Sequence, residues 1–114
     1  MNAKLSLIAI GLLMAMSGFS HAADVAPVMD SKSCDSPKYP KAALMNEETG
    51  TVTMGFLISP DGKVVESKVE KSSGSKSLDK AALSALSLCK FKAGTKDGKA
   101  DQMWAKIDFV WKLE

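Results

Sequence analysis

The chain has 114 residues, with 15 basic side chains against 13 acidic ones, and every basic residue is lysine. Arginine is the usual bidentate reader of phosphate, carboxylate and guanine, so its absence and the near-neutral charge argue against nucleic acid as the main partner. One histidine, His21, and two cysteines, Cys34 and Cys89, leave little material for metal binding or nucleophilic catalysis.

Residues 1–22 read as a removable export signal. Lys4 supplies a positive start. Leu5 to Phe19 is then apolar apart from small residues such as Ser6, Gly11 and Ser17. Ser20 and Ala22 place small residues at the −3 and −1 positions of a cut after Ala22. The competing reading is a retained membrane anchor. A spanning helix needs about 20 apolar residues, whereas this run has 15 and Asp24 follows soon after. Cleavage leaves 92 residues with a net charge of +1, enough for one small domain. With no second apolar span, that domain is expected to be soluble. His21 leaves with the signal.

Both cysteines survive the cut. In an oxidising compartment an even count favours a disulfide, and only Cys34–Cys89 is available within the chain. The loop-entropy model assigns such a bridge on the order of 4 kcal/mol. The alternative is a redox pair or a thiol nucleophile. Redox motifs keep their cysteines close, as C-x-x-C, and here they stand 55 positions apart.

After the signal, residues 23–36 read as an extended lead-in, poor in large apolar residues. Residues 37–114 read as the domain proper. Pro40 suits the first turn of a helix over Lys41 to Glu48, with Gly50 as its stop. Thr51 to Ser59 alternates, with Val52, Met54, Phe56 and Ile58 on one face, and predicts a half-buried strand. Pro60-Asp61-Gly62 is a tight-turn signal. Val64 to Lys71 follows as a second strand, with Val65 and Val69 expected inward. Ser77 is a candidate N-cap, with Asp79 in the first turn complementing the helix dipole. Leu78, Ala81, Ala82, Ala85, Leu86 and Cys89 form the apolar stripe of a helix expected to end near Lys90. Gly94 to Ala100 reads as a loop.

Met103, Ala105, Ile107, Phe109, Trp111 and Leu113 then alternate with Trp104, Lys106, Asp108, Val110 and Lys112, predicting a long final strand. Phe56, Phe91, Phe109 and Trp111 are expected in the core. Trp104 falls out of phase with the inner face and is either exposed at a binding surface or folded over a helix end. It shares the outer face with Val110 and Leu57. The fold class is α+β, with αββαβ order and two helices on one face of a three-stranded antiparallel sheet. Such a sheet has two edges, each offering unpaired N–H and C=O groups.

The motifs of catalysis are missing. No Ser-His or Cys-His pair survives processing, and no ligand spacing for a metal is present. Glu47 and Glu48, adjacent on a helix, diverge by about 100° and cannot serve one reacting bond. Gly94 and Gly98 fit no phosphate loop. Neither an enzyme nor a cofactor, metal or small-molecule substrate is expected.

The elements together carry a resemblance. Tyr39-Pro40 is followed by Ala42 and Ala43. Then come the alternating run from Gly50 to Ile58, Pro60-Asp61-Gly62-x-Val64, Ser72-Ser73-Gly74, Leu78-Asp79-x-Ala81-Ala82, Lys90-Phe91 and the final strand. From about Pro37 to Leu113 the sequence resembles the C-terminal domain of the TonB family. The resemblance implies a periplasmic domain that binds short segments of outer-membrane transporters. The segment adds alongside the final strand, so Gln102, Met103, Trp104, Lys106, Asp108 and Val110 would meet it. Ser36, Pro37 and Lys38, before Tyr39, occupy the stretch that also contributes contacts in the best-known members, and Tyr39 joins them as a candidate.

The sequence also departs from the family pattern. Family transducers keep an N-terminal membrane helix and a long Pro-rich spacer, where this sequence reads as a cleavable signal without such a spacer. Cys89 stands where Trp is usual, Ala93 where Pro is frequent and Ser36 where known transducers carry Gln. The expectation is a periplasmic binding module for a protein or extended peptide of a transporter or envelope complex. The rivals are a minimal transducer anchored by Leu5 to Phe19, and an envelope module that pairs with itself as a homodimer through the same edge.

Overall fold

In the computed structural model, which describes residues 24–113, the lead-in comes first, with β1 (Val28–Asp30) and a single 3-10 turn (Ser31–Ser33). There follow α1 (Lys41–Met45), β2 (Gly50–Ile58), β3 (Val64–Lys71), α2 (Lys76–Leu86), β4 (Lys90–Lys92), β5 (Gly94–Lys96), β6 (Lys99–Asp101) and β7 (Met103–Trp111). The export signal read from residues 1–22 lies outside the described residues.

The main sheet has the order β3-β2-β7, antiparallel throughout. Its central strand carries the core. Val52, Met54, Phe56 and Ile58 are all 0% exposed, each side chain contributing about 1.5–3 kcal/mol on full burial. Leu78, Ala82 and Leu86 of α2 and Ala43 of α1 pack against this same face. Both helices therefore lie on one side, as the αββαβ reading expects.

Several boundaries differ from the expectation. Helix α1 ends at Met45, with Pro40 as its N-cap residue. Glu47, at φ 54°, takes the left-handed position after the helix, so Gly50 is free to open β2. Glu47 and Glu48 thus lie beyond the helix, and Glu48 Oε1 accepts from Ser75 Oγ at 2.6 Å. Ser75, not Ser77, caps α2, its hydroxyl accepting from Leu78 N at 3.3 Å. Helix α2 stops at Leu86, before Lys90, and a turn delivers Cys89 into the core.

In β3 the expected inner face is half right. Val69 pairs with Met54 and so shares its face, though at this edge it is still 37% exposed, but the register shifts between Leu57 and Ile58, so Val64 pairs with Ile58 and Glu66 with Leu57. Val65 is the extra residue of this bulge and is 54% exposed. A one-residue insertion sends the next side chain to the other face.

Two short ladders were not anticipated. The lead-in is more than extended: Val28, Met29 and Asp30 pair with Lys92, Phe91 and Lys90. Ser33 Oγ accepts from Lys90 N at 2.7 Å, and Val25 bridges Thr95. The stretch expected as a loop is the hairpin β5–β6. Its tip, Asp97-Gly98 at φ 54° and 81°, has both residues left-handed, as a type I′ turn requires. Cys34 and Cys89 form the expected disulfide, with Cα atoms 4.8 Å apart. It fastens the lead-in to the chain leaving α2.

Candidate functional site

β7 forms one edge of the main sheet. It pairs with β2 over nine residues without a break, from Gly50↔Trp111 to Ile58↔Met103. On its other side, among the described residues, no strand pairs with it. Successive N–H groups of a strand point to opposite sides, so half of those on β7 face away from β2.

Alternation divides its side chains. Ala105 and Trp111 are buried inward, with Met103, Ile107 and Phe109 partly so. Trp111 meets Tyr39 and Phe109 edge-on, both at 4.9 Å between ring centroids. Trp104, Lys106, Asp108 and Val110 stand exposed on the outer face. Trp104 lies opposite Leu57 and does not cover a helix end; the Lys68 ammonium stands 4.5 Å from its ring centroid. Asp108 accepts from Thr53 Oγ1 at 2.7 Å. Thr53, Glu70, Lys71, Lys106 and Asp108 line a shallow groove of mixed charge there.

Gln102 is exposed and precedes β7, its N–H donating to Asp101 Oδ1 at 2.8 Å. Ser36 and Pro37 come to the inner side of the edge. With Met29, Leu86 and Phe109 they line a cleft of about 120 Å³. Tyr39 is tied into the fold: its hydroxyl donates to the Glu48 carbonyl and its ring packs on Trp111. It fixes the end of the lead-in against the end of β7.

Among the described residues the one buried acid, Asp79, is engaged locally. Burial alone pushes its carboxyl up, but bonds from the Ser72 hydroxyl and from the Ser73 hydroxyl and N–H together hold it below its ordinary value. It ties the β3–α2 loop to the first turn of α2. Among the described residues no group of three or more His, Cys, Asp or Glu is placed to hold a metal ion. Sequence reasoning did not find Lys68 as the neighbour of Trp104. No local pattern marks it, because the contact crosses the whole sheet.

Comparison with known proteins agrees with this geometry. The family model for the Gram-negative bacterial TonB protein C-terminal matches residues 35–113. Protein TonB of Neisseria meningitidis serogroup C is 40% identical over 67 residues, which are 59% of this chain and 24% of that protein. Protein tonB2 of Pseudomonas aeruginosa is 32% identical over 78 residues, 68% of this chain and 29% of the relative. The solution NMR structure of the Pseudomonas aeruginosa TonB CTD is similar at a TM-score of 0.60 and 27% identity, covering 82% of this chain and 90% of that one. The chain thus spans about a quarter to a third of the length of these full-length relatives. With strand order, helix placement and a family match over residues 35–113 all in agreement, the chain belongs to the TonB C-terminal family.

Proposed function

We propose that this domain binds an extended segment of a protein partner, adding it as a further strand along β7, in the periplasm and in association with outer-membrane transport. The observation that carries the reading is the open side of β7, nine residues long and without a pairing strand among the described residues. In strand addition the backbone supplies affinity and alternate side chains supply selectivity. An added segment would meet Trp104, Lys106, Asp108 and Val110 on the outer face. On the inner face it would meet the cleft beside Phe109, Ser36 and Pro37. Such binding needs no catalytic group, cofactor or metal.

The proposal includes release of the domain by cleavage after Ala22, which makes it a free module and not an anchored transducer. The N-terminal mass of the exported chain separates the two. A start at Ala23 supports the free module, and a chain that keeps residues 1–22 supports the anchored one.

Proline tests the edge. Lys106 and Asp108, two positions apart, direct their N–H groups to the same side, so neighbours discriminate where these two do not. Of Lys106 and Ile107, one N–H faces β2 and the other faces outward. Proline at the outward one should preserve cooperative unfolding and weaken a transporter-derived synthetic peptide by about tenfold or more. Proline at the other should break the β2–β7 ladder and destabilise the domain. Unchanged peptide affinity in a folded outward-proline variant would place the binding surface elsewhere.

A further inference from the structure

Residues 34–38 form a strap between two cavities. On its outer side Cys34, Asp35, Ser36 and Lys38 line a groove of about 460 Å³ whose far wall is Ala85 and Leu88. On its inner side Cys34, Asp35, Ser36 and Pro37 wall the cleft of about 120 Å³ beside Phe109 of β7. Ser33, before the strap, is held by Lys90, and Tyr39, after it, by Glu48. Among the described residues no backbone hydrogen bond holds residues 34–38. The Cys34–Cys89 bridge is what ties the strap to the core.

The two sulfurs of that bridge differ in access. Cys89 is 3% exposed and packs in the core. Cys34 is partly exposed and lines both cavities. Thiol–disulfide exchange depends on which sulfur an attacking thiolate can reach, and here that sulfur is Cys34. Leu88, 78% exposed at the wall of the groove, offers an apolar contact to whatever carries the thiolate. Asp35 and Lys38, the charged groups of the groove, offset each other.

We propose that the bridge is a thiol–disulfide exchange site, entered at the Cys34 sulfur from this groove by a protein dithiol of the C-x-x-C kind, and that its reduction frees the strap from the β7 edge. The first thiolate of the dithiol bonds to the Cys34 sulfur, the Cys34–Cys89 bond breaks, and Cys89 leaves as a thiolate. The second thiol, as a thiolate, then attacks the first sulfur of its own protein and releases Cys34. The dithiol becomes a disulfide, and the two protons it gives up reach Cys34 and Cys89 through water. A monothiol fails at the second step, because Cys89 beside it reverses the mixed disulfide, whereas a dithiol resolves it from its own side. The bridge is thus the substrate of a redox partner and not a redox motif itself. Freed, Ser36 and Pro37 no longer wall the cleft beside Phe109. The effect of that release on peptide binding rests on the function proposed above; the exchange site does not.

The test uses the folded chain purified after export. A brief exposure to glutathione, quenched with N-ethylmaleimide and mapped by peptide mass spectrometry, should place glutathione on Cys34 over Cys89 by about tenfold or more. Equal labelling, or labelling mainly at Cys89, would overturn the assignment. Reduced thioredoxin, as the probe dithiol, should cleave the bridge at a rate proportional to its concentration and insensitive to low urea. A rate that climbs with urea as global unfolding does would show that the native groove admits no thiolate and would refute the site. Ala85→Trp fills the groove from its α2 wall. It should slow reduction by thioredoxin about tenfold in buffer and leave the rate in denaturant unchanged; an unchanged rate in buffer would refute entry through the groove. After reduction, trypsin should cut after Lys38 faster relative to Lys68 in β3 and Lys80 in α2. A uniform rise at all three would refute release of the strap. Reduced protein should bind a transporter-derived peptide about tenfold more weakly, since an ordered cleft must then be rebuilt on binding. Equal affinity of the two forms would refute the link between strap and β7. If neither form binds peptide while glutathione maps to Cys34, the exchange site stands and the peptide-binding proposal fails.

Discussion

Lys68, on one edge strand, holds its ammonium 4.5 Å from the centroid of the Trp104 ring on the other. The path between them crosses Gly55 of β2, which pairs with Lys68 on one side and Lys106 on the other. A Cβ at Gly55 would stand 2.6 Å from Glu70 Oε2 and 3.3 Å from Lys68 Cε. The bare backbone at Gly55 is what lets both long side chains lie flat across the outer face. Gly55→Ala should therefore displace Lys68 and Glu70 while changing stability by less than about 1 kcal/mol, because the displaced groups are the ends of flexible chains. Trp111 is buried, so acrylamide quenching of tryptophan emission reports Trp104. Quenching should rise in Gly55→Ala and in Lys68→Met as the ring loses its cover. Unchanged quenching in both would contradict the contact.

The Cys34–Cys89 bridge closes a loop across 55 positions and holds Ser36 and Pro37 beside β7. Besides it, the lead-in is fastened by a three-residue ladder, one isolated bridge, the Ser33–Lys90 bond and the bond from Asp97 N–H to Asp24 Oδ1. The double variant Cys34→Ala/Cys89→Ala should lose about 2–4 kcal/mol of unfolding free energy. Chemical denaturation with and without a dithiol reductant measures it. A midpoint unmoved by reduction would show that the other fastenings suffice.

Asp79 predicts a pH dependence with a definite sign. Its folded carboxyl is held below the ordinary value, so its stabilisation is fully present above the unfolded value of about 3.9 and is lost as pH falls through the folded value. Asp79→Asn should cost about 1.5–3 kcal/mol at neutral pH, the worth of hydrogen bonds to a charged group. The gap between parent and variant should narrow below about pH 4. A gap that stays constant from neutral pH to acid would contradict the role assigned to the ionised carboxylate.

What the sequence disclosed follows from how burial leaves its mark. Val52, Met54, Phe56 and Ile58 alternate because one face of β2 is closed over by α2, and Leu78, Ala82 and Leu86 recur because one face of α2 closes it. The edge position of β7 follows from a three-stranded sheet, so the candidate surface was legible. β1 and β4 were not, since three residues cannot show a period. Asp97-Gly98 carried a hairpin signal, but Thr95, Lys96, Lys99 and Ala100 around it lack apolar alternation. Val64-Val65 presents two equal valines, and only the bulge decides which turns inward. Tyr39 was legible as part of a motif, but its packing on Trp111 depends on the lead-in's return to the end of β7. The reach of Lys68 over Gly55 joins three strands and has no local signature.

The most direct test of partner addition at β7 is residue-resolved amide hydrogen exchange, with and without a synthetic peptide from a periplasm-facing transporter segment. In the free protein, alternate amides between Met103 and Trp111 that face away from β2 should exchange quickly, while their neighbours in the ladder are protected. Peptide should protect the fast set and leave β3, the opposite edge, unchanged. Protection on β3 or at α1, with the outward amides of β7 still exchanging freely, would contradict strand addition at this edge.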